Sequence, residues 1–159
     1  MSPRTATVRR PDRVELLDFL RARSRCVLTT RRADGSLQVS PVTYGVDARG
    51  RVVVSTYPRR AKAVNLRRDP AATLCVLSED WDGPYVQVDG RAEVLELPEA
   101  VEPLVEYFRS IRGEHPDWDE YRAAMVSQGK CLIRIEIDRW GPIATGGFPP
   151  GVATPGPSA

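Results

Sequence analysis

Arg51-Val-Val-Val-Ser-Thr-Tyr-Pro-Arg-Arg-Ala-Lys-Ala-Val-Asn-Leu-Arg-Arg-Asp-Pro70 decides how this chain folds. Its first third is apolar and β-branched, the composition of a strand. The rest reads as a helix that Asp69-Pro70 stops. That helix opens with Arg59, Arg60 and Lys62. A helix N-terminus already carries partial positive charge, so cations there are repelled. They fit when an anion is held at the same place, because free N–H groups and basic side chains then converge on it. A solvated basic face that tolerates a small penalty gives the same pattern. Arg67 and Arg68 sit at the other end, where the dipole favours cations, and read as ordinary surface charges.

Lys62 carries a second signal. The chain holds two lysines, Lys62 and Lys130, against 21 arginines. An ammonium suits a point contact to an oxygen, a guanidinium a planar fork. Net charge is only +2, but it hides an asymmetry. Residues 1–70 carry 16 basic and 6 acidic side chains, and residues 71–159 carry 7 basic and 15 acidic. The basic residues are scattered over several elements, with no aromatic-rich RNA-binding signature and no basic recognition helix, so no nucleic-acid partner is expected. A small anionic ligand, or contact between opposite halves of a dimer, fits the asymmetry.

At 159 residues, 42% hydrophobic and 28% charged, the chain reads as one globular domain. No apolar run approaches membrane-spanning length, and the basic N-terminus has no apolar segment behind it. A cytoplasmic protein without a membrane partner is the expectation. Cys26, Cys75 and Cys131 each lie in an apolar strand-like run, are odd in number and form no CxxC, so they read as buried thiols without metal or redox work. The single histidine, His115, falls in a Gly-Glu-His-Pro linker and reads as solvent-facing. No catalytic dyad and no metal site stand out, and the catalytic residues stay unassigned.

Outward from the opening stretch, hairpin signals dominate. Arg25–Arg31 reads as a strand, Ala33-Asp-Gly-Ser36 as a turn, Leu37–Val46 as a second strand, and Val52–Thr56 as a third. Ala72–Ser78 makes a fourth, Tyr85–Leu97 a fifth bent at Asp89-Gly90, and Cys131–Ile137 a sixth. Helices are expected over Pro11–Arg23, over Glu99–Ile111 with Pro103 near the start, and after Asp117-Trp-Asp-Glu120. The expected fold is mainly β, a small six-stranded antiparallel barrel with a crossover helix and peripheral helices. Residues 1–10 read as a flexible arm, 11–144 as the barrel domain, and 145–159 as a disordered Gly/Pro-rich tail.

The order Val-Leu-Thr-Thr, Asp-Gly-Ser-Leu-Gln-Val-Ser-Pro-Val, Gly-Arg-Val-Val-Val-Ser-Thr, then Arg-Arg-Ala-Lys-Ala-Val-Asn-Leu-Arg-Arg-Asp-Pro resembles the pyridoxamine-phosphate-oxidase-like split barrel. More narrowly, Arg-Ala-Lys-x-x-Asn-Leu-x-x-Asp-Pro, with the later Gly113–Met125 segment, resembles the actinobacterial branch of coenzyme F420 (deazaflavin) dependent reductases. The resemblance implies a homodimer with cofactor sites at the subunit interface. It implies that Arg60, Ala61, Lys62 and Asn65 face the cofactor from the crossover helix, with Gln38, Ser40 and Val42 from the second strand and Ser55 and Thr56 from the third. Trp81 and Tyr85 would close the pocket from the partner subunit. On pattern alone, Gln38 and Ser40 also read as outward polar alternation, and Trp81 as packing.

The implied activity is hydride transfer from reduced F420, the cofactor supplying the chemistry, to a small organic acceptor. FMN is the alternative cofactor, and a non-catalytic cofactor- or haem-binding protein is the alternative function. The segment Asp138-Arg-Trp-Gly-Pro-Ile-Ala-Thr-Gly-Gly147 lacks the Arg-containing clamp of true pyridoxamine phosphate oxidases, which speaks against vitamin-B6 oxidation.

Overall fold

Seven strands form one antiparallel sheet that curls on itself. The computed structural model describes residues 4–152. Its elements are β1 (Val8–Arg9), α1 (Arg13–Arg21), β2 (Arg25–Arg31), β3 (Leu37–Thr43), β4 (Gly45–Val46), β5 (Val52–Thr56) and α2 (Ala61–Arg68). They continue with β6 (Ala71–Leu77), β7 (Val86–Leu95), α3 (Val101–Arg112), α4 (Trp118–Gln128), β8 (Cys131–Trp140) and β9 (Ile143–Ala144). The expected crossover and peripheral helices are all present. Asp12 caps α1 through a reciprocal box with Glu15, and Asp117 caps α4 by accepting from the Glu120 N–H.

The strand count differs from six because the expected strand Leu37–Val46 is broken at Tyr44. β3 pairs with β2 at one edge of the sheet, and β4 pairs with β5 at the other. Tyr44 sits at the break, fully buried, and its hydroxyl donates to the Leu20 carbonyl at 2.7 Å. Gly45 packs close to α3, where a Cβ would lie 2.2 Å from Ser110 Oγ. β3 returns beside β5 without hydrogen-bonding to it, and that gap is the split in the barrel.

The segment expected to be a free arm is partly tied down. Val8–Arg9 pairs with Ile143–Ala144 as a separate two-stranded sheet, and the Ala6 N–H donates to the Phe148 carbonyl at 2.8 Å. Residues 1–3 of the arm and 153–159 of the expected tail lie outside the described residues. The bend expected at Asp89-Gly90 is a bulge: the pairing of β7 with β8 shifts there, leaving Asp138 as the extra residue.

Two cores follow from strand alternation. The inner one gathers Cys26, Leu28, Val52, Val54, Leu74, Val76, Val88, Ile133 and Ile135, with Leu16 and Leu20 of α1 and Leu66 of α2 closing against them. The second lies between the α3–α4 pair and the other face of β5 and β8, through Val53, Leu132, Leu104, Tyr121 and Met125. β5 is therefore buried on both faces over Val52–Val54. The outer face of β3 has no such cover, and Leu37 and Val39 are more than half exposed.

Candidate functional site

The split between β3 and β5 opens into a cavity of about 320 Å³ at the start of α2. Val42, Ser55, Thr56, Arg60 and Lys62 line it together, all of them sequence-predicted site residues. Tyr57, Tyr107 and Lys130 complete it with Pro41 and Thr43, and no carboxylate is among the lining residues. The helix contributes as the charge pattern implies. Arg60 is the N-cap of α2 in extended conformation, with no side-chain cap and no acidic residue in the first turn. The helix thus begins two residues later than Arg59, which is exposed. Burial, and then the charge of Arg60, pull the Lys62 ammonium below the ordinary lysine value. Two converging cations without a local acid make a place that costs free energy until an anion enters it.

Lys130 was not singled out as a site residue, although lysine scarcity marks it as clearly as Lys62. Gly129 ends α4 in the left-handed region at φ 67°, which turns the chain so that Lys130 faces back toward β5. Its Nζ lies 4.2 Å from the centre of the Tyr57 ring, a cation–π contact that holds the ammonium at the cavity. The Tyr107 hydroxyl donates to the Thr43 carbonyl at 3.2 Å, and burial raises its pKa.

Gln38 and Asn65 meet elsewhere. The Asn65 amide donates to Thr30 Oγ1 at 3.0 Å, and the Thr30 hydroxyl donates to Gln38 Oε1 at 3.0 Å. Thr30 and Asn65 are buried, so this chain of hydrogen bonds pins α2 onto β2 and β3. Ser40 lies between Gln38 and Val42 on the same face, and its buried hydroxyl has no partner among the described residues. A buried hydroxyl without a partner is costly. Ala61 opens α2 and is exposed.

Trp81 and Tyr85 lie apart from these groups in the same chain. They line a larger cavity of about 550 Å³ with Arg4, Cys75, Leu77 and Ser78. Cys75 is half-buried there, against the expectation of a buried thiol, whereas burial pushes Cys26 up to about 12. Two further readings change. Arg67 donates to the Pro58 carbonyl at 2.8 Å and pairs with Glu96, while Arg68 donates to the Arg31 carbonyl at the end of β2. Both are latches that hold α2, not free surface charges. His115 is half-buried among Phe108, Trp118 and Tyr121, and its Nδ1 accepts from the Asp117 N–H at 2.9 Å. Among the described residues, no three His, Cys, Asp or Glu side chains come together as a metal site, and no helix is long and apolar enough to cross a membrane.

Comparison with known proteins adds to this geometry. The sequence pattern of the pyridoxamine 5′-phosphate oxidase family matches residues 13–144. Among solved structures, the chain resembles the conserved hypothetical protein Rv2991 from Mycobacterium tuberculosis, with 26% identity, TM-score 0.70 and coverage of 84% of each chain. It also resembles an F420 reductase at 21% identity and TM-score 0.58, covering 78% of this chain and 94% of that one. A heme binding protein from Mycobacterium smegmatis shares 21% identity at TM-score 0.62, over 84% of this chain and 55% of that one.

Proposed function

Because the chain belongs to the pyridoxamine 5′-phosphate oxidase family, we propose that it is an oxidoreductase that holds coenzyme F420 at the β3–β5 split and reduces a small organic acceptor. The observation that carries this reading is the convergence of Arg60, Lys62 and Lys130 on one cavity whose lining holds no carboxylate. The coenzyme carries a phosphodiester and glutamate groups, all anionic, and its donor requirements match that set. The neighbour named as an F420 reductase supports the same choice.

In this reading Arg60, Lys62 and the uncapped start of α2 take the phosphate. Ser40, Ser55 and Thr56 offer hydroxyls to the polar edge of the ring, and Val42 gives it an apolar wall. The Thr30–Asn65 pair fixes the helix so that these donors stay in place. When bound, the reduced deazaflavin supplies the hydride. The chain supplies position, charge and exclusion of water, which accounts for a site with no acid–base dyad. FMN carries a phosphate monoester on a similar ring and is the second reading for the cofactor.

The same reading takes the protein as a homodimer. Leu37, Val39, Trp81 and Tyr85 are exposed apolar side chains, with Trp81 at 86%. They are chemically suited to a second copy, which would bring Trp81 and Tyr85 to the partner's cavity.

Equilibrium titration of the coenzyme-free protein with F420 and with FMN tests the cofactor. Loss of reduced-F420 absorbance on adding quinone, enone and nitro-aromatic acceptors tests the enzyme. Preferred binding of F420 with turnover of an acceptor is the expected result. Tight FMN binding without F420 binding would overturn the cofactor assignment. Tight F420 binding without turnover of any acceptor class would favour a carrier or binding protein.

A further inference from the structure

The cavity at Arg60 and Lys62 does not end at Tyr107. Thr43, Ser55, Tyr107 and Lys130 also border a second chamber of about 330 Å³ against α3 and α4. Phe108, Ile111, Tyr121 and Met125 form its wall, all buried or half-buried. Arg112 and Gln128 stand beside that wall, and again no carboxylate lines the space. The other arginines of the same two helices are spoken for: Arg109 pairs with Glu114, and Arg122 with Glu102 and Asp119. Arg112 and Lys130 enter no ion pair among the described residues.

A chamber with an aromatic and methionine wall and two unpaired cations asks for a particular chemistry. A flexible, hydrated polyanion gains little from the wall. A flat apolar molecule with a single carboxylate gains from the wall and from both cations. We propose that this chamber is the acceptor subsite, and that the acceptor is a planar unsaturated or aromatic carboxylic acid whose carboxylate is taken by Lys130 and Arg112. Lys130 stands where the two chambers join and is held there by Tyr57, so the acceptor lies next to the first cavity. The term acceptor rests on the coenzyme reading above; the binding of the acid does not.

The test uses cinnamate as probe and cinnamyl alcohol as its uncharged counterpart. Each is titrated by calorimetry into the coenzyme-free protein and into the protein saturated with F420. The methyl resonance of Met125 reports the location. Cinnamate should bind saturably, shift Met125, and bind roughly tenfold more tightly than the alcohol, the scale of one charge-assisted hydrogen bond. Lys130→Gln and Arg112→Gln should each lose most of that preference, while Arg91→Gln, on an exposed position of β7, should keep it. Equal binding of acid and alcohol, or variants that bind cinnamate like the wild type, would overturn the proposal. So would displacement of cinnamate by F420, which would give the chamber to the coenzyme's glutamate tail. A protein that binds cinnamate in this pattern but does not bind F420 would keep the subsite and refute the coenzyme reading.

Discussion

Lys62 sits half-buried beside Arg60, and both effects make its charged form costly in the free protein. Its folded pKa is lowered, so the unfolded chain holds that proton more tightly. Between the lowered value and the ordinary lysine value, stability of the free protein therefore rises with pH. Anion binding runs the other way, because it needs the ammonium. F420 affinity, followed by fluorescence titration, should fall with rising pH from a point below the ordinary lysine range. Lys62→Arg, which stays charged, should remain level through that window; a wild type that also stays level would contradict the role. Thr30 is the other decisive side chain. Thr30→Val removes the hydroxyl that joins Asn65 to Gln38. Urea unfolding should show a loss of about 1–3 kcal/mol from stranding the buried amide. Lys62 was legible in the sequence through lysine scarcity and its place at a helix start. Scarcity marks Lys130 too, but its place at the cavity and the role of Thr30 were not legible, because nothing local says that the turn after α4 comes back to Tyr57, or that a threonine in β2 lies under α2.

At the scale of elements, the bend in β7 could be read directly from Asp89-Gly90. The structure gives its reason. A Cβ at Gly90 would lie 2.2 Å from the Glu136 carbonyl oxygen, so the bulged strands approach too closely for any side chain. Gly90→Ala should destabilise the fold by roughly 1–3 kcal/mol, since backbone must move to admit the methyl. Wild-type thermal and urea midpoints in that variant would contradict the close approach. The break at Tyr44 was not legible. A run from Leu37 to Val46 has unbroken strand composition, and only the tertiary position of Leu20 and Ser110 shows why it must turn. The pairing of β1 with β9 joins the two ends of the described chain, and short segments of two residues carry no periodicity to announce it. The hairpins and caps were legible because their chemistry is local, as Asp12 with Glu15 and Asp117 with Glu120 show.

The whole molecule divides by the cover on its sheet. α3 and α4 lie over β5 and β8, while the outer face of β3 is bare and apolar at Leu37 and Val39. Light scattering should find a dimer, and Val39→Asp should shift it toward monomer; a wild-type monomer that still binds coenzyme would contradict the proposed pairing. The charge asymmetry also resolves at this scale. The basic first half sends Arg60 and Lys62 to the split, and the acidic second half sends Lys130 to the same cavity without a carboxylate. The central claim is that Arg60 and Lys62 bind an anionic coenzyme, while Arg67 and Arg68 only hold the helix. The most direct test is F420 affinity for Arg60→Ala, Lys62→Ala, Arg67→Ala and Arg68→Ala at two ionic strengths. Loss of Arg60 or Lys62 should weaken binding by about 1–3 kcal/mol and flatten its salt dependence. Loss of Arg67 or Arg68 should lower folding stability and leave affinity near that of the wild type. If all four weaken binding alike, α2 is a diffuse basic face and the site is not where this account puts it.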